Sequence, residues 1–238
     1  MSTASATPSV PWPPGWQVTV VDETGSTNAD LLAAAAAGAP DRRVLMARHQ
    51  TSGRGRLDRP WESPPGVNLL VSILFRELPA SPHDLSHRVA LAAVHAVERL
   101  TGLAPSVKWP NDLLLNGRKL AGLLAQSGGH GAIDYVVVGI GVNVGWAIDD
   151  AATLAGAVTP DELLAALLDE YDRLPVDIGP LYRARLATLD QEVRVERPDR
   201  DITGRAIDLD DDGRLVVLDD AGVAHHLDVG DVVHLRHA

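Results

Sequence analysis

The chain has 238 residues with no cysteine, one phenylalanine and, among 21 basic residues, only two lysines. Without cysteine there is no disulfide framework, no thiolate zinc site and no cysteine nucleophile, which fits a reducing compartment. No apolar run approaches the roughly 20 residues a membrane-spanning helix needs. Met1 to Trp16 carries neither Arg nor Lys and no apolar core segment, so it does not read as a secretory signal. The expectation is a soluble, cytoplasmic protein with no membrane association. The lysine shortage is the most telling absence, because the remaining 21 − 2 = 19 basic residues are all arginine. Only Lys108 and Lys119 escape that preference.

What is present is an ordinary globular mixture, 45% hydrophobic and 22% charged. The length suits one sizeable domain, alone or with a small appendage. A net charge of −11 argues against a duplex-DNA binder, since phosphate binding relies on concentrated Lys and Arg, and no nucleic-acid partner is expected. The charge is uneven, however. Residues 191–238 hold 12 acids and 6 arginines, a net of 6 − 12 = −6, whereas residues 42–59 hold six arginines and one Asp.

Residues 1–16 are rich in Ser, Thr, Ala and Pro and read as a loose tail or an arm packed by Trp12 and Trp16. A strand is predicted from Gln17 to Val21, followed by a helix capped by Ser26 or Thr27, running through Ala33 to Ala37 and ended by Gly38. Val44 to Arg48 is a second strand, leading into a long Gly- and Arg-rich loop from His49 to Gly66. Asn68 to Arg76 is strand-like, and Ser81-Pro82 opens a periodic helix to about Leu100, stopped by Gly102. Leu113–Leu115 and Lys119–Ala125 flank Asn116-Gly117, the signature of a tight hairpin. Ile133 to Val144 reads as a buried strand. Thr159-Pro160-Asp161-Glu162 is a capping box that starts a helix to about Leu174. Beyond Asp190, short alternating strands with turns at Asp210–Gly213 and Asp219–Gly222 predict a small β-barrel. The predicted organisation is thus a tail (1–16), a main domain (17–190) and a C-terminal appendage (191–238).

Three constellations carry chemistry. In Gly53-Arg54-Gly55-Arg56-Leu57-Asp58-Arg59-Pro60-Trp61, glycines let backbone amides approach an anion while guanidinium groups supply bidentate donors. The same composition also suits a mobile, solvated or RNA-binding loop. Lys108-Trp109-Pro110-Asn111-Asp112 and Arg118-Lys119-Leu120-Ala121-Gly122 contain both lysines of the chain. So strong an arginine bias points to a need for a compact ammonium there, the alternative being two ordinary surface lysines. In Gly139-Ile140-Gly141-Val142-Asn143, glycines inside an apolar strand mark a bulge or a close approach by a ligand or another part of the chain.

Together with Ser26-Thr27-Asn28, these motifs resemble, in order and spacing, those of the biotin protein ligases, over about Val18 to Arg236. The resemblance implies an α+β catalytic domain like that of class II aminoacyl-tRNA synthetases, a mixed sheet with flanking helices, followed by a small SH3-like barrel. It implies ATP-dependent activation of biotin as biotinyl-5′-AMP, with Mg²⁺, and transfer to a lysine of a biotin carboxyl carrier protein. Residue by residue, Ser26, Thr27, Asn28 and Gln50 would face the biotin head group. Gly53, Arg54, Arg56 and Gly122 would enclose the carboxylate and acyl phosphate, with Lys119 as a fixed positive charge between them. Arg59, Trp61 and Asn143 resemble positions that hold ATP; Lys108, Asn111 and Asp112 resemble those that organise phosphate, the metal near Asp112, or the incoming lysine.

Many bacterial members carry an N-terminal winged helix-turn-helix, for which about 16 irregular residues leave no room, so a ligase without repressor activity is expected. The nearest rival is a lipoate or octanoate ligase or transferase of the same fold. It would lack the Gly-Arg-Gly-Arg loop and the Lys-Trp-Pro-Asn-Asp motif in this arrangement. Asp208, Asp210, Asp212 and Gly213 imitate the start of a calcium loop, but their strand-like flanks predict a hairpin turn. His225 and His226, neighbours on a predicted strand, should face opposite sides.

Overall fold

The computed structural model describes residues 10–81, 83–129, 132–197, 200–228 and 230–235. Residues 1–9 of the expected tail, Pro82 at the expected helix start and Arg236 lie outside them. In chain order the elements are β1 (Gln17–Thr24), α1 (Thr27–Ala36), β2 (Arg43–Gln50), β3 (Leu69–Phe75), α2 (His83–Thr101), β4 (Ser106–Lys108), β5 (Asp112–Leu115), β6 (Arg118–Gly128) and β7 (Tyr135–Val142). There follow α3 (Pro160–Arg173), α4 (Gly179–Arg185), β8 (Glu192–Glu196), β9 (Ile202–Leu209), β10 (Leu215–Leu218), β11 (Ala224–Leu227) and β12 (Asp231–His234).

Seven strands form a mixed sheet in the order β1-β2-β3-β7-β6-β5-β4, parallel only between β1 and β2. Five more form an antiparallel C-terminal sheet in the order β11-β10-β9-β8-β12. A mixed sheet with flanking helices plus a small antiparallel C-terminal sheet is the α+β architecture expected. No helix among the described residues is long and apolar enough to cross a membrane.

Side chains alternate across a strand, so β3 and β7 present two different faces. Leu69, Val71, Ile73 and Phe75 of β3, with Val136, Val138, Ile140 and Val142 of β7, join the main core shared with residues of α2 and α3. Leu74 and Val137 point the other way and pack on Leu31 and Ala35 of α1. With ten residues, α1 is about 15 Å long at 1.5 Å per residue. It covers only part of its face, and the uncovered remainder is where the site forms.

Local signals account for most boundaries. Thr159 and Glu162 form the capping box of α3. Asn116 and Gly117, with φ of 53° and 75°, make the tight turn between β5 and β6. Differences from the sequence reading have identifiable causes. β2 continues through His49 and Gln50, which the sequence assigned to the loop, because they pair with Glu23 and Thr24 of β1. β7 starts at Tyr135, leaving Ile133 exposed. β4 was not read, being three residues long, and neither was α4, whose Gly179-Pro180 start reads as a breaker but whose Tyr182 is fully buried.

The C-terminal sheet is docked by the turn between β9 and β10. Asp210 accepts the backbone N–H groups of Asp212 and Arg214 at 3.1 and 2.9 Å, as a hairpin turn requires. Trp109 Nε1 donates to Gly213 O at 3.4 Å and Ser81 Oγ to Asp212 O at 3.1 Å. Beside them, buried His87 stacks on Tyr182 with ring centroids 4.1 Å apart. His225 and His226 engage different acids, Asp219 and Asp210.

Candidate active site

On the α1 side of the sheet, beyond the helix, the strand register lines up two cross-strand rows. One is Leu70–Gly141–Gly122 and the other Ser72–Gly139–Leu124. These six residues floor a cavity of about 330 Å³, within the range usual for small-molecule sites. Both glycines in the central strand are there because something leans on them. A Cβ at Gly139 would collide with Asn28 Oδ1 and lie 3.3 Å from Ser72 Oγ; one at Gly141 would lie 2.5 Å from Cε2 of Trp61.

One end of the cavity is polar and buried. Ser26 is the N-cap of α1, its Oγ accepting from Ala29 N at 3.5 Å. Gln50 Oε1 accepts from Thr27 N at 2.7 Å and lies 3.0 Å from Thr27 Oγ1. Asn28 is held by Leu124 O and Gln126 Oε1, to which its Nδ2 donates at 3.3 and 2.8 Å.

The other end is charged. A bulge in the β5–β6 hairpin, between Leu113 and Leu114, shifts the register beside Lys119. Lys119 Nζ then lies 2.8 Å from Asp112 Oδ1 and 5.6 Å from the centre of the Trp61 ring. Asn111 bridges to β6, its Nδ2 donating to Leu123 O at 2.9 Å. Asn143 Nδ2 donates to Ala152 O at 3.1 Å.

The Arg-rich loop folds over this floor as a small closed turn. Trp61 N donates to Gly53 O at 2.9 Å and Gly55 N to Arg59 O at 2.8 Å, with Arg54 bridged to Pro60. Arg56 Nη1 reaches Asn111 Oδ1 at 3.2 Å and Gly230 O at 3.3 Å, while Asp231 pairs with Arg59 and lies 3.8 Å from Arg56. The C-terminal sheet therefore closes one side of the cavity.

Ser26, Thr27, Asn28, Gln50, Arg54, Arg56, Arg59, Trp61, Asn111, Asp112, Lys119, Gly122 and Asn143 all line this one cavity. Gly53 sits behind it, where a Cβ would lie 2.6 Å from Trp61 O. Lys108 is not among the lining residues: it faces Asp112 across β4–β5 at the sheet edge. Sequence reading missed Ser72, Trp146, Ile148 and Asp231, which also line the cavity. Trp146 is presented by buried Asn68, whose Oδ1 accepts from Val144, Gly145 and Trp146 N and whose Nδ2 donates to Trp146 O.

Residues 20–143 match the model of the biotin/lipoate A/B protein ligase family, and residues 188–235 match that of the biotin protein ligase C terminal domain. The chain belongs to the biotin/lipoate A/B protein ligase family. Within this ligase family it is 41% identical to a biotin--[acetyl-CoA-carboxylase] ligase of Mycobacterium tuberculosis, over 93% of this chain and 91% of that one. It is 36% identical to the bifunctional ligase/repressor BirA of Bacillus spizizenii over 52% of this chain, which is 37% of that longer protein. Among solved structures it resembles a biotin protein ligase from Aquifex aeolicus in complex with biotin and ATP. The TM-score is 0.78 at 25% identity, covering 93% of this chain and 99% of that chain.

Proposed function

We propose that this protein is a biotin–protein ligase that activates biotin with ATP as biotinyl-5′-AMP and transfers it to a lysine ε-amine of a biotin carboxyl carrier protein domain. The observation that carries this reading is the cavity itself, polar and buried at one end, cationic at the other, with a glycine floor between. A urea head group fits the Ser26, Thr27, Asn28 and Gln50 end, and the aliphatic tail lies along the floor toward Lys119. Both the 41% identical ligase and the ligand-bound Aquifex relative support it.

In the first step a carboxylate oxygen of biotin bonds to the α-phosphorus of ATP, and the bond to the β-phosphate breaks, releasing pyrophosphate. Two anions must meet. Lys119 offsets the charge that builds on the α-phosphoryl group, Arg54 and Arg56 hold acyl phosphate and phosphate oxygens, and Arg59, Trp61 and Asn143 hold the nucleotide. In the second step the carrier amine attacks the acyl carbon, AMP leaves with the bonding electrons, and the amine loses its proton. In this reading Asp112, beside Asn111, takes part in that proton transfer, and Lys108 meets the carrier at the sheet edge. The Arg-rich loop acts as a lid that keeps water from the anhydride.

Magnesium typically binds through one or two carboxylates plus substrate phosphates, and Asp112 in the cavity suits that arrangement. When bound with ATP, it would neutralise phosphate charge. Residues 17–190 would form the catalytic domain and 191–238 the C-terminal domain. The test is pyrophosphate exchange into ATP: biotin should support it, and lipoate or octanoate should not. Exchange driven by lipoate instead would overturn the assignment.

A further inference from the structure

Ser72 belongs to no motif, yet it is the one polar side chain in the β3 sequence Leu-Leu-Val-Ser-Ile-Leu-Phe, fully buried and lining the cavity. It links the two residues that receive the biotin head. Thr27 Oγ1 and Ser72 Oγ are 2.8 Å apart, and Ser72 Oγ donates to Asn28 Oδ1 at 2.7 Å.

The direction of this chain is set from outside it. The Leu124 carbonyl can only accept, which turns the Asn28 amide nitrogen toward it and leaves Asn28 Oδ1 facing Ser72. An amide oxygen cannot donate, so the single Ser72 proton is committed to Asn28. At the far end Thr27 N–H can only donate, which fixes Gln50 Oε1 toward Thr27. The Thr27 hydroxyl therefore stands between two acceptors, Ser72 Oγ at 2.8 Å and Gln50 Oε1 at 3.0 Å. Its proton points inward in either case, and the cavity sees only its lone pairs.

We propose that Ser72 is a positioning residue that fixes Thr27 as a hydrogen-bond acceptor, so that the pocket selects a ring presenting an N–H at that point. The Gln50 amide nitrogen and the Ser26 hydroxyl remain as donors for the carbonyl of the same ring. Acceptor for N–H beside donors for C=O is the complement of a cyclic urea. Gly139 is the partner of this arrangement, because it stands opposite Ser72 in the register and its missing Cβ clears the space Asn28 needs. The inference deepens the biotin reading and rests on it.

The experiment is calorimetric binding, without nucleotide, of biotin and of the two cyclic carbamates in which one or the other ureido N–H is replaced by oxygen. Wild type should prefer biotin to at least one carbamate by about tenfold or more, the scale of one buried hydrogen bond traded for a lone-pair clash. Ser72→Ala should narrow that ratio severalfold, since the Thr27 hydroxyl then keeps a single inward acceptor, Gln50 Oε1, which already receives Thr27 N–H, and its proton can turn toward the ligand. Ser72→Cys, a near-isosteric but weak donor, should act in the same direction and decides the matter where Ser72→Ala folds poorly. Gln126→Glu keeps an acceptor for Asn28 and should leave the ratio at its wild-type value. A residue that merely fills space would change stability and not this ratio. An unchanged ratio in folded Ser72→Ala or Ser72→Cys overturns the inference while leaving biotin binding intact; a wild type that binds no biotin removes the reading beneath it, and the inference with it.

Discussion

The ammonium of Lys119 lies 2.8 Å from a carboxylate oxygen of Asp112, joining two sequence motifs in one ion pair beside the glycine floor. The arginine-dominated composition singles out Lys119, and its position explains why a compact charge suits it. An Arg guanidinium is planar and forked, whereas this ammonium lies between a carboxylate and the ring of an indole. Lys119→Ala should therefore lower biotin-dependent pyrophosphate exchange by about two orders of magnitude or more, the usual scale for losing a preorganised charge at a reacting group. Lys119→Arg should recover only a minor part. Near-normal exchange in Lys119→Ala would show that the charge is not used.

The two glycines of β7 in the floor, Gly139 and Gly141, should fail in different ways. An alanine at Gly139 collides with Asn28, while one at Gly141 meets the Trp61 ring at 2.5 Å. Overpacking of this kind typically costs about 1–3 kcal/mol. Gly139→Ala should raise the KM for biotin, and Gly141→Ala the KM for ATP, each by about tenfold. Steady-state kinetics with each substrate varied in turn checks this; equal effects on both substrates in both variants would contradict the division of the cavity.

Arg56 holds the loop by reaching Asn111 and the Gly230 carbonyl. Arg56→Gly removes both contacts and places a second glycine directly after Gly55, so the lid should loosen and release more biotinyl-AMP. Trapping of free adenylate with an exogenous amine measures it. Release no greater than in wild type would mean that the lid is held by other contacts, such as Trp61 on Gly141.

A pH effect on stability is expected from His87. Burial lowers its pKa from 6.5 to about 3. Below pH 6.5 the unfolded chain takes up a proton that the folded one refuses, so this contribution is complete above 6.5 and declines as pH falls toward 3. The slope in that window is about 1.4 kcal/mol per pH unit. Because His87 lies against Tyr182 and beneath Gly213, the loss loosens the seat of the C-terminal sheet. Thermal midpoints between pH 7.5 and 5 should fall more steeply in wild type than in His87→Gln; parallel slopes would rule out His87 as the source.

Most of this fold is legible in the sequence because local chemistry sets it. The Thr159–Glu162 capping box, the Asn116-Gly117 turn and the Gly38 and Gly102 stops each act within a few residues. Cross-strand partnership is invisible at that range. His49 and Gln50 look like loop until β1 pairs with them, and α4 forms because Tyr182 finds a buried place. In the site, Lys119, Arg56 and Asn111 were readable from motif and composition, and so was the idea that Gly139 and Gly141 mark close approaches. What approached them was not, because Asn28 and Trp61 are far away in sequence. Ser72 did leave a signal, a lone hydroxyl in an apolar strand, but its meaning depends on the row it shares with Gly139 and Leu124. Asp231 left none, since its contact with the Arg-rich loop exists only once the two sheets are docked.

The most direct test of the account is intact-mass analysis of a biotin carboxyl carrier domain incubated with this protein, biotin, ATP and Mg²⁺. The account predicts a gain of one biotinyl group on a single lysine, lost when biotin or ATP is omitted and strongly reduced with Lys119→Ala. A carrier that stays unmodified under conditions where the protein is folded and binds biotin would contradict it.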